Sequence, residues 1–271
     1  MLASAPMGRI LAIVNQKGGV GKTTSIISIA AELALMGRKV LVVDLDPQGN
    51  ATSGLGVPVG EEGDDLYDMF FNRVSLSAII RQSQIENLFV APSSPDLVGI
   101  EVEMGKTPGR ELILRSEINL LRMSYDYVLI DCPPSCGLIT LNALGAADSV
   151  LIPLQAEYYA LEGLSALLNT IEFVRQTFNP DLVILGVFLT MYDHRTNLSS
   201  QVLEEAQQHF GEVLFEQVIP RSVKLSESPS HGLPIALYAP QSPGAAAYRH
   251  LAVELDRRCY GVTRRKRVAN S

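Results

Sequence analysis

The sequence predicts one α/β domain in which helices cover both faces of a single doubly wound, mostly parallel sheet. Strand-sized apolar runs alternate with helical stretches along the 271 residues. The apolar runs are continuous, as in strands that are buried on both faces, and several end in an aspartate. Apolar residues make up 47% of the chain and charged residues 19%, which predicts a substantial core rather than disorder.

The elements follow in chain order from a first strand at 10–14, which leads through a glycine-rich loop into a helix. Apolar residues recur at helical spacing from Ile26 to Met36, and Gly37 is suited to end that helix. Later strands are predicted at 40–43, 88–90, 127–130, 150–152, 183–189 and 213–219. Helices are predicted at 110–122, 159–178, 198–210 and 245–259. The chain then divides into an N-terminal extension (1–8), one domain (9–260) and a basic C-terminal tail (261–271).

Residues 15–24, Asn-Gln-Lys-Gly-Gly-Val-Gly-Lys-Thr-Thr, join the first strand to its helix. Backbone N–H groups of such a loop can point at a polyphosphate, and the positive end of the helix points to the same place. Lys22 can reach the β- and γ-phosphates, and the hydroxyl of Thr23 can bind Mg²⁺. The loop therefore predicts nucleotide binding and a fold of the P-loop nucleotide-hydrolase type. Its nucleotide contacts are assigned to Gly18, Gly19, Val20, Gly21, Lys22, Thr23 and Thr24.

One position of this loop departs from the ordinary phosphate-loop pattern. That pattern has a glycine five residues before the Gly-Lys pair, and here the position is Gln16. A second lysine, Lys17, follows directly, too early in the loop to be the ordinary phosphate lysine.

Three aspartates end predicted strands, where ligands collect in open α/β sheets. Asp131 follows the strand at 127–130 and is expected to hold Mg²⁺, although an aspartate at a strand end can also simply form a turn. Asp44 and Asp46 alternate about another strand end, so one can lie near the metal while the other faces the γ-phosphate. A carboxylate there can orient an attacking water, and for Asp46 the alternative is that it only braces the turn at Pro47.

With these motifs the chain resembles the ParA/Soj chromosome- and plasmid-partitioning ATPases, which belong to the deviant Walker A group together with the MinD proteins. The resemblance covers about residues 7–260. The segments that carry it are 17–24, 44–50, 131–135, 190–196 and 219–229. It implies a weak, Mg²⁺-dependent ATPase that converts ATP to ADP and phosphate.

The resemblance also implies roles for single residues. Lys17 is similar to the lysine that reaches across a dimer interface to the partner's phosphates, and Lys22 to the loop lysine that acts within its own subunit. Asp46 resembles the residue that hydrolysis requires. Pro220 and Arg221 lie in a segment that approaches the nucleotide base in this family.

The same resemblance implies two DNA contacts. Arg195 matches a basic position of the family's DNA-binding surface, and Lys224 occupies one where arginine is common. The alternative is that both are ordinary surface cations. The net charge of −7 opposes DNA binding by the whole surface, so a local patch is required. The basic run at 264–267 is either a solvated end or a second contact to phosphate or anionic lipid.

The function that these features predict is an ATP-dependent DNA-partitioning switch. An ATP-sandwich homodimer would bind DNA without sequence preference, and a ParB-type partner protein would stimulate hydrolysis and release it. The expected location is the cytoplasm, on the nucleoid, with no membrane partner. Three cysteines, an odd number without disulfide-scaffold spacing, suit a reducing compartment.

Two alternatives come from the same superfamily. A MinD-like positioning ATPase bound to membranes needs a C-terminal amphipathic helix, and residues 261–271 contain only two valines as bulky apolar residues. A metal-cluster carrier needs cysteines that bridge a dimer, and Cys132 and Cys136 fit that requirement poorly.

Overall fold

The computed structural model describes residues 7–59, 63–157 and 163–261, and within them seven strands form one sheet between two layers of helices. The strands are β1 (Arg9–Ile13), β2 (Val40–Asp44), β3 (Arg81–Gln82), β4 (Leu88–Ala91), β5 (Tyr127–Asp131), β6 (Ser149–Gln155) and β7 (Val183–Thr190). Their spatial order is β3-β4-β2-β5-β1-β6-β7, and only the pairing of β3 with β4 is antiparallel. The predicted fold class is confirmed.

The helices are α1 (Lys22–Leu35), α2 (Asn50–Gly54), α3 (Leu66–Phe70), α4 (Leu76–Ile79), α5 (Ile100–Glu103), α6 (Ile113–Leu121), α7 (Leu138–Ala146), α8 (Leu164–Thr177), α9 (Asn197–Phe210), α10 (Val223–Glu227), α11 (Ile235–Tyr238) and α12 (Pro243–Tyr260). Turns of 3₁₀ helix cover Pro95–Gly99, Arg110–Leu112, Arg122–Ser124, Gly211–Val213 and Ser228–His231. Among the helices of the described residues, none combines the length and the apolar character that crossing a bilayer requires. Tyr159, where one helix was predicted to begin, and the tail at 264–267 lie outside the described residues.

The apolar strands feed two separate cores, one on each face of the sheet. Ile10 and Ala12 of β1 pack with residues of α6, α7, α8 and α9, whereas Leu11 and Ile13 pack with residues of α1 and α12. Successive side chains of a strand point to opposite faces, so a strand covered on both sides must be apolar at every position. This explains why the strands appear in the sequence as continuous apolar runs.

The prediction of a strand at 213–219 is wrong. Two N–H groups of this segment, those of Phe215 and Ile219, donate to carbonyls of β7 at 2.8 Å each. Two N–H groups between them donate instead to the carboxylate of Glu254 in α12, at 3.2 and 3.4 Å. The Glu254 carboxylate therefore takes the Gln217 N–H that a continuous ladder to β7 would need, and the segment makes one isolated bridge, between Leu214 and Val187.

Helix α1, which follows the glycine-rich loop, is fixed against α12. The hydroxyls of Ser25 and Tyr248 lie 2.8 Å apart in a buried hydrogen bond. Arg38, just beyond α1, donates twice to the Asp256 carboxylate at 2.9 Å, and the Tyr127 hydroxyl donates to the same carboxylate at 2.9 Å. Helix α12 thus holds α1, the helix that follows the loop.

Glu32 of α1 is the least satisfied group of this contact, and replacing it should stabilise the protein. Glu32 is only 3% exposed, and its Oε1 has no hydrogen-bond partner among the described residues. Its other oxygen, Oε2, lies 3.5 Å from Nε of Arg249. Burial raises the pKa of Glu32, with Arg249 acting in the opposite direction. The neutral form is therefore favoured by folding, and the stability it contributes is lost as pH rises through the folded-state pKa.

We expect Glu32→Gln to raise the melting temperature by roughly 2–4 °C near neutral pH, as relief of about 1 kcal/mol would give. The gain should shrink on acidification, where Glu32 itself is protonated. Scanning calorimetry across this pH range measures it. Glu254→Gln is the matched control and should lower the melting temperature, because that carboxylate is fully used by two N–H groups and Arg258. A gain that does not vary with pH would contradict the explanation.

Candidate functional site

The glycine-rich loop has the shape that a phosphate requires. The φ angles of Gly19 and Gly21 are 75° and 85°, a left-handed conformation that favours glycine. A Cβ added at Gly18 would meet no heavy atom within 4 Å, so the outer side of the loop is open. Its inner side is fixed, because Val20 is buried and its carbonyl accepts a hydrogen bond from the Thr190 hydroxyl at 2.9 Å.

Lys22, the first residue of α1, lies inside the loop. It is only 7% exposed, and its ammonium donates to the carbonyl of Lys17 at 3.2 Å. Burial lowers the pKa of Lys22, while Asp131, Cys132 and Asp46 act in the opposite direction. A buried ammonium at the N-terminus of a helix is a site for an anion, and a polyphosphate in the loop would supply the missing charge.

Lys17, the other lysine of the loop, is paired with a carboxylate at the surface. Its ammonium forms an ion pair with the Glu157 carboxylate at 2.7 Å, and the two side chains are 48% and 43% exposed. The other oxygen of Glu157 accepts a hydrogen bond from Gln155, the last residue of β6. The two lysines of one loop therefore have different environments, with Lys22 buried at the loop and Lys17 at the surface.

Asp131 ends β5 beside both predicted partners. In the sheet register it lies opposite Ile13 of β1 and Asp44 of β2, at the carboxyl ends of all three strands. It is fully buried, and neither of its carboxylate oxygens has a hydrogen-bond partner among the described residues. Burial raises its pKa well above the usual value and Asp44 adds to the shift, while the Thr23 hydroxyl and the Lys22 ammonium oppose it.

A buried carboxylate without hydrogen bonds fits a hard cation. Mg²⁺ is usually held by one or two carboxylates, with waters and substrate phosphates completing its coordination. Asp131 and the hydroxyl of Thr23 provide such a partial set. Within the described part of the chain, no group of three or more His, Cys, Asp and Glu side chains is arranged to hold a metal by itself. The donors present suit a cation that arrives together with a phosphate.

Asp44 and Asp46 have different surroundings. The Asp44 carboxylate is fully buried and accepts from the backbone N–H and the hydroxyl of Thr52 at 2.7 Å each. Burial raises the pKa of Asp44 to about 6, although the Thr52 hydrogen bonds lower it. Asp46 is half-buried, and one of its oxygens accepts from the Gln48 N–H at 3.0 Å. Asp46 therefore does brace the turn, and its second oxygen has no hydrogen bond within the described residues.

A cavity of about 120 Å³ lies against the start of α1. It brings Pro220 and Arg221, which were predicted to lie near the nucleotide base, next to Gly21 and Thr24 of the loop. The other lining residues are Thr190, Met191, Ile219, Ser222, Leu225, Ser226 and Tyr248. The cavity is thus an extension of the loop.

Sequence reasoning missed two features of this cavity. Met191 has a φ of 54°, unusual for a residue with a side chain, and it follows directly on Thr190 at the end of β7. Tyr248 comes from α12, far away along the chain. The run at 190–196 signalled that this segment matters, but no pattern in the sequence connects Tyr248 with the loop.

The two predicted DNA contacts lie on connected segments. The bridge between Tyr192 and Pro220, with the Arg221 N–H donating to the Tyr192 carbonyl at 3.0 Å, joins the segment of Arg195 to the one that leads into Lys224. Both side chains are exposed, at 87% for Arg195 and 54% for Lys224. Each of them also forms an ion pair within its own segment.

Comparison with known proteins gives three kinds of similarity. Residues 8–184 match the family described as AAA domain. The sporulation initiation inhibitor protein Soj of Bacillus subtilis (strain 168) is 52% identical over 92% of this chain and 98% of its own length. The chromosome partitioning protein ParA of Myxococcus xanthus (strain DK1622) is 50% identical over 98% of this chain and 94% of its own.

Solved structures are similar over nearly the whole chain. Cobyrinic acid a,c-diamide synthase from Mycobacterium smegmatis, with bound ADP and magnesium, is 39% identical with a TM-score of 0.81, covering 93% of this chain and 95% of its own. The septum site-determining protein MinD from Pyrococcus horikoshii OT3, complexed with Mg-ADP, is 29% identical with a TM-score of 0.78, covering 94% and 98%.

Proposed function

This chain belongs to the Soj/ParA family of chromosome-partitioning ATPases, and from that membership we propose that it is an ATP-dependent switch whose dimer binds DNA. The family accounts for the partitioning function and for ATP hydrolysis. The arrangement of the chain's own residues supports the dimer and the DNA contact, and the control by a partner is inferred from the family membership alone. The position of Lys17 is the single observation that carries the inference.

ATP is proposed to bind with its phosphates in the loop and its base toward Pro220 and Arg221. Lys22 would replace its bond to a backbone carbonyl by contacts to the β- and γ-phosphates. Thr23 and Asp131 would hold the metal ion. Bound there, Mg²⁺ would neutralise charge on the phosphates, so that hydrolysis to ADP and phosphate is Mg²⁺-dependent.

Lys17 supports a dimer. Its ammonium is 48% exposed and is held by Glu157 rather than by its own loop. A lysine on the outer side of a phosphate loop can contact phosphates bound to a second copy that faces it. There it would neutralise charge that develops during phosphoryl transfer. An exposed ion pair is weak, so exchanging Glu157 for a phosphate costs little. We propose an ATP-sandwich homodimer in which each Lys17 completes the other subunit's site.

Asp46 is proposed to orient the attacking water. It lies in the turn after β2, it is half-buried, and one of its oxygens is engaged by the Gln48 N–H. The second oxygen would accept a hydrogen bond from water beside the γ-phosphate. With a single carboxylate for this task and half of the site supplied by a partner, intrinsic turnover would be weak.

Dimerisation is proposed to bring Arg195 and Lys224 of two subunits onto one DNA-binding face. With four cations in place, a dimer whose subunits each carry a net charge of −7 could bind duplex phosphates without reading bases. A ParB-type partner would stimulate hydrolysis, separate the dimer and release the DNA. The protein would therefore be found on the nucleoid in its ATP state.

The test is DNA binding by variants of the two cations. We expect binding to random-sequence duplex only with ATP, and Arg195→Ala and Lys224→Ala each to weaken it at least about tenfold. The log–log salt slope should fall by roughly 0.9 for every phosphate that the variant no longer neutralises. Fluorescence anisotropy at several salt concentrations measures both quantities, and light scattering checks that ATP-dependent dimers persist.

Arg73→Ala is the matched control, since Arg73 is an exposed arginine that is 56% accessible and paired with Asp68. It should leave DNA binding unchanged. Deletion of 262–271 tests the basic tail separately. Loss of all binding on that deletion, together with normal binding by the Arg195→Ala/Lys224→Ala double variant, would assign DNA binding to the tail instead.

A further inference from the structure

Both cations of the proposed DNA-binding face are occupied by carboxylates of their own segments. Arg195 donates through Nε and Nη2 to the two oxygens of Asp193 at 2.9 and 2.7 Å. Lys224 donates to Glu227 at 2.9 Å. A carboxylate and a DNA phosphate are alternative partners for the same donors, because both present paired anionic oxygens to a guanidinium or ammonium.

The Asp193–Arg195 pair is fixed by more than its charges. Asp193 Oδ1 also accepts from the backbone N–H of Arg195 at 3.0 Å, which orients the carboxylate within the turn. The Arg195 contacts hold the pKa of Asp193 well below its usual value, and Arg221 acts in the same direction. Asp193 is therefore a charged and positioned competitor for Arg195, whose side chain is otherwise 87% exposed.

The Lys224–Glu227 pair is positioned in the same way. Glu227 also accepts from the Tyr238 hydroxyl at 3.1 Å, and the Lys224 ammonium lies 5.5 Å from the centre of the Tyr238 ring. The Lys224 hydrogen bond lowers the pKa of Glu227, and Tyr238 adds to that shift. Tyr238 thus keeps the carboxylate beside the lysine.

The charges of the two joined segments nearly cancel. Arg195, Arg221 and Lys224 contribute three positive charges, and Asp193 and Glu227 contribute two negative charges. The surface therefore carries a net charge of +1 in each subunit, against +3 without the carboxylates. A surface with so small an excess binds a polyanion only where several copies act together.

Building on the proposed function, we propose that Asp193 and Glu227 compete with DNA phosphate for Arg195 and Lys224 and so make DNA binding depend on the dimer. In one subunit the internal carboxylates hold the cations. In a dimer the combined contacts to one duplex exceed what the carboxylates provide, and when the dimer separates the carboxylates take the cations back. The two acidic residues set the affinity at a level from which DNA can be released.

Conservative amides test this competition. Asp193→Asn keeps an oxygen to accept the Arg195 N–H, and Glu227→Gln keeps one for the Tyr238 hydroxyl, so both local structures should persist. We expect each variant to strengthen DNA binding by about two- to fivefold per freed pair, the range that exposed ion pairs give, with the gains of two subunits multiplied in a dimer. The double variant should bind DNA measurably with ADP, whereas the wild type should bind it only with ATP.

Two comparisons isolate the cause. Asp68→Asn removes the same charge from another exposed ion pair, with Arg73, and should leave affinity unchanged. Asp193→Asn should have no effect in an Arg195→Ala background, because the competed cation is absent. An equal gain in both backgrounds, or an equal gain from Asp68→Asn, would mean that only net charge matters and would overturn the proposal.

The same assay separates this inference from the function on which it rests. If Arg195→Ala and Lys224→Ala leave DNA binding intact, the proposed DNA-binding face is wrong. If they weaken it while Asp193→Asn and Glu227→Gln change nothing, the face is right and the competition is wrong. Gel filtration with ATP confirms in each case that the variant still folds and dimerises.

Discussion

Lys22→Ala should abolish nucleotide binding. The ammonium is the buried cation of the phosphate loop, 7% exposed at the start of α1, and its present partner is only a backbone carbonyl. Removing it withdraws charge-assisted hydrogen bonds from the β- and γ-phosphates, and we expect affinity to fall at least about a hundredfold, or roughly 3 kcal/mol. Titration of a fluorescent ATP analogue measures the change in affinity.

Lys17→Ala is the matched control, because it removes the same charge from the same loop. Its ammonium lies on Glu157, so the monomer should bind nucleotide with little change. Dimerisation and hydrolysis should be abolished instead, as light scattering and phosphate release would show. If Lys22→Ala binds nucleotide with unchanged affinity, Lys22 does not contact the phosphates.

Asp46→Ala should bind ATP and fail to cleave it. Loss of the residue that orients water should slow hydrolysis by about 10²–10⁴-fold, the range of general-base contributions. The variant should accumulate as a long-lived dimer on DNA. Single-turnover hydrolysis, together with gel filtration in ATP, measures both effects.

Asp46→Asn distinguishes the two roles that the structure leaves to this side chain. Asparagine keeps an oxygen to accept the Gln48 N–H, so the turn should persist. If Asp46 only braces the turn, Asp46→Asn should hydrolyse ATP normally. If it orients the water through a charged oxygen, Asp46→Asn should be as inactive as Asp46→Ala. Normal ATP turnover in both Asp46→Ala and Asp46→Asn would exclude both roles.

The sheet and the loop were predictable because their determinants are local. A strand buried on both faces must be a continuous apolar run, and six such runs became strands of the sheet. The left-handed backbone at Gly19 and Gly21 requires glycine, so the loop is visible as a sequence motif. Asp131 ends β5 at the edge where parallel strands bring their carboxyl ends together, and its role as a metal ligand stays a prediction.

The errors and omissions come from contacts between distant segments. The segment at 213–219 has a strand-like apolar pattern, but the Glu254 carboxylate takes two of its N–H groups. β3 has two residues, too few to leave a pattern. The ion pair of Lys17 with Glu157 and those of Arg195 and Lys224 depend on side-chain direction, which spacing does not reveal.

The strand order also has a consequence for how the protein folds during its synthesis on the ribosome. β1 and β2 are made first, yet β5 separates them in the sheet, so residue 131 must be synthesised before the two strands are joined. Helix α12, which fixes α1, follows all the other described elements along the chain. Such non-local pairing is slow, and the strands that are made early stay unpaired until their neighbours are synthesised. A chain that ends before α12 would therefore lack the helix that fixes α1, and it could not take the place of a complete subunit.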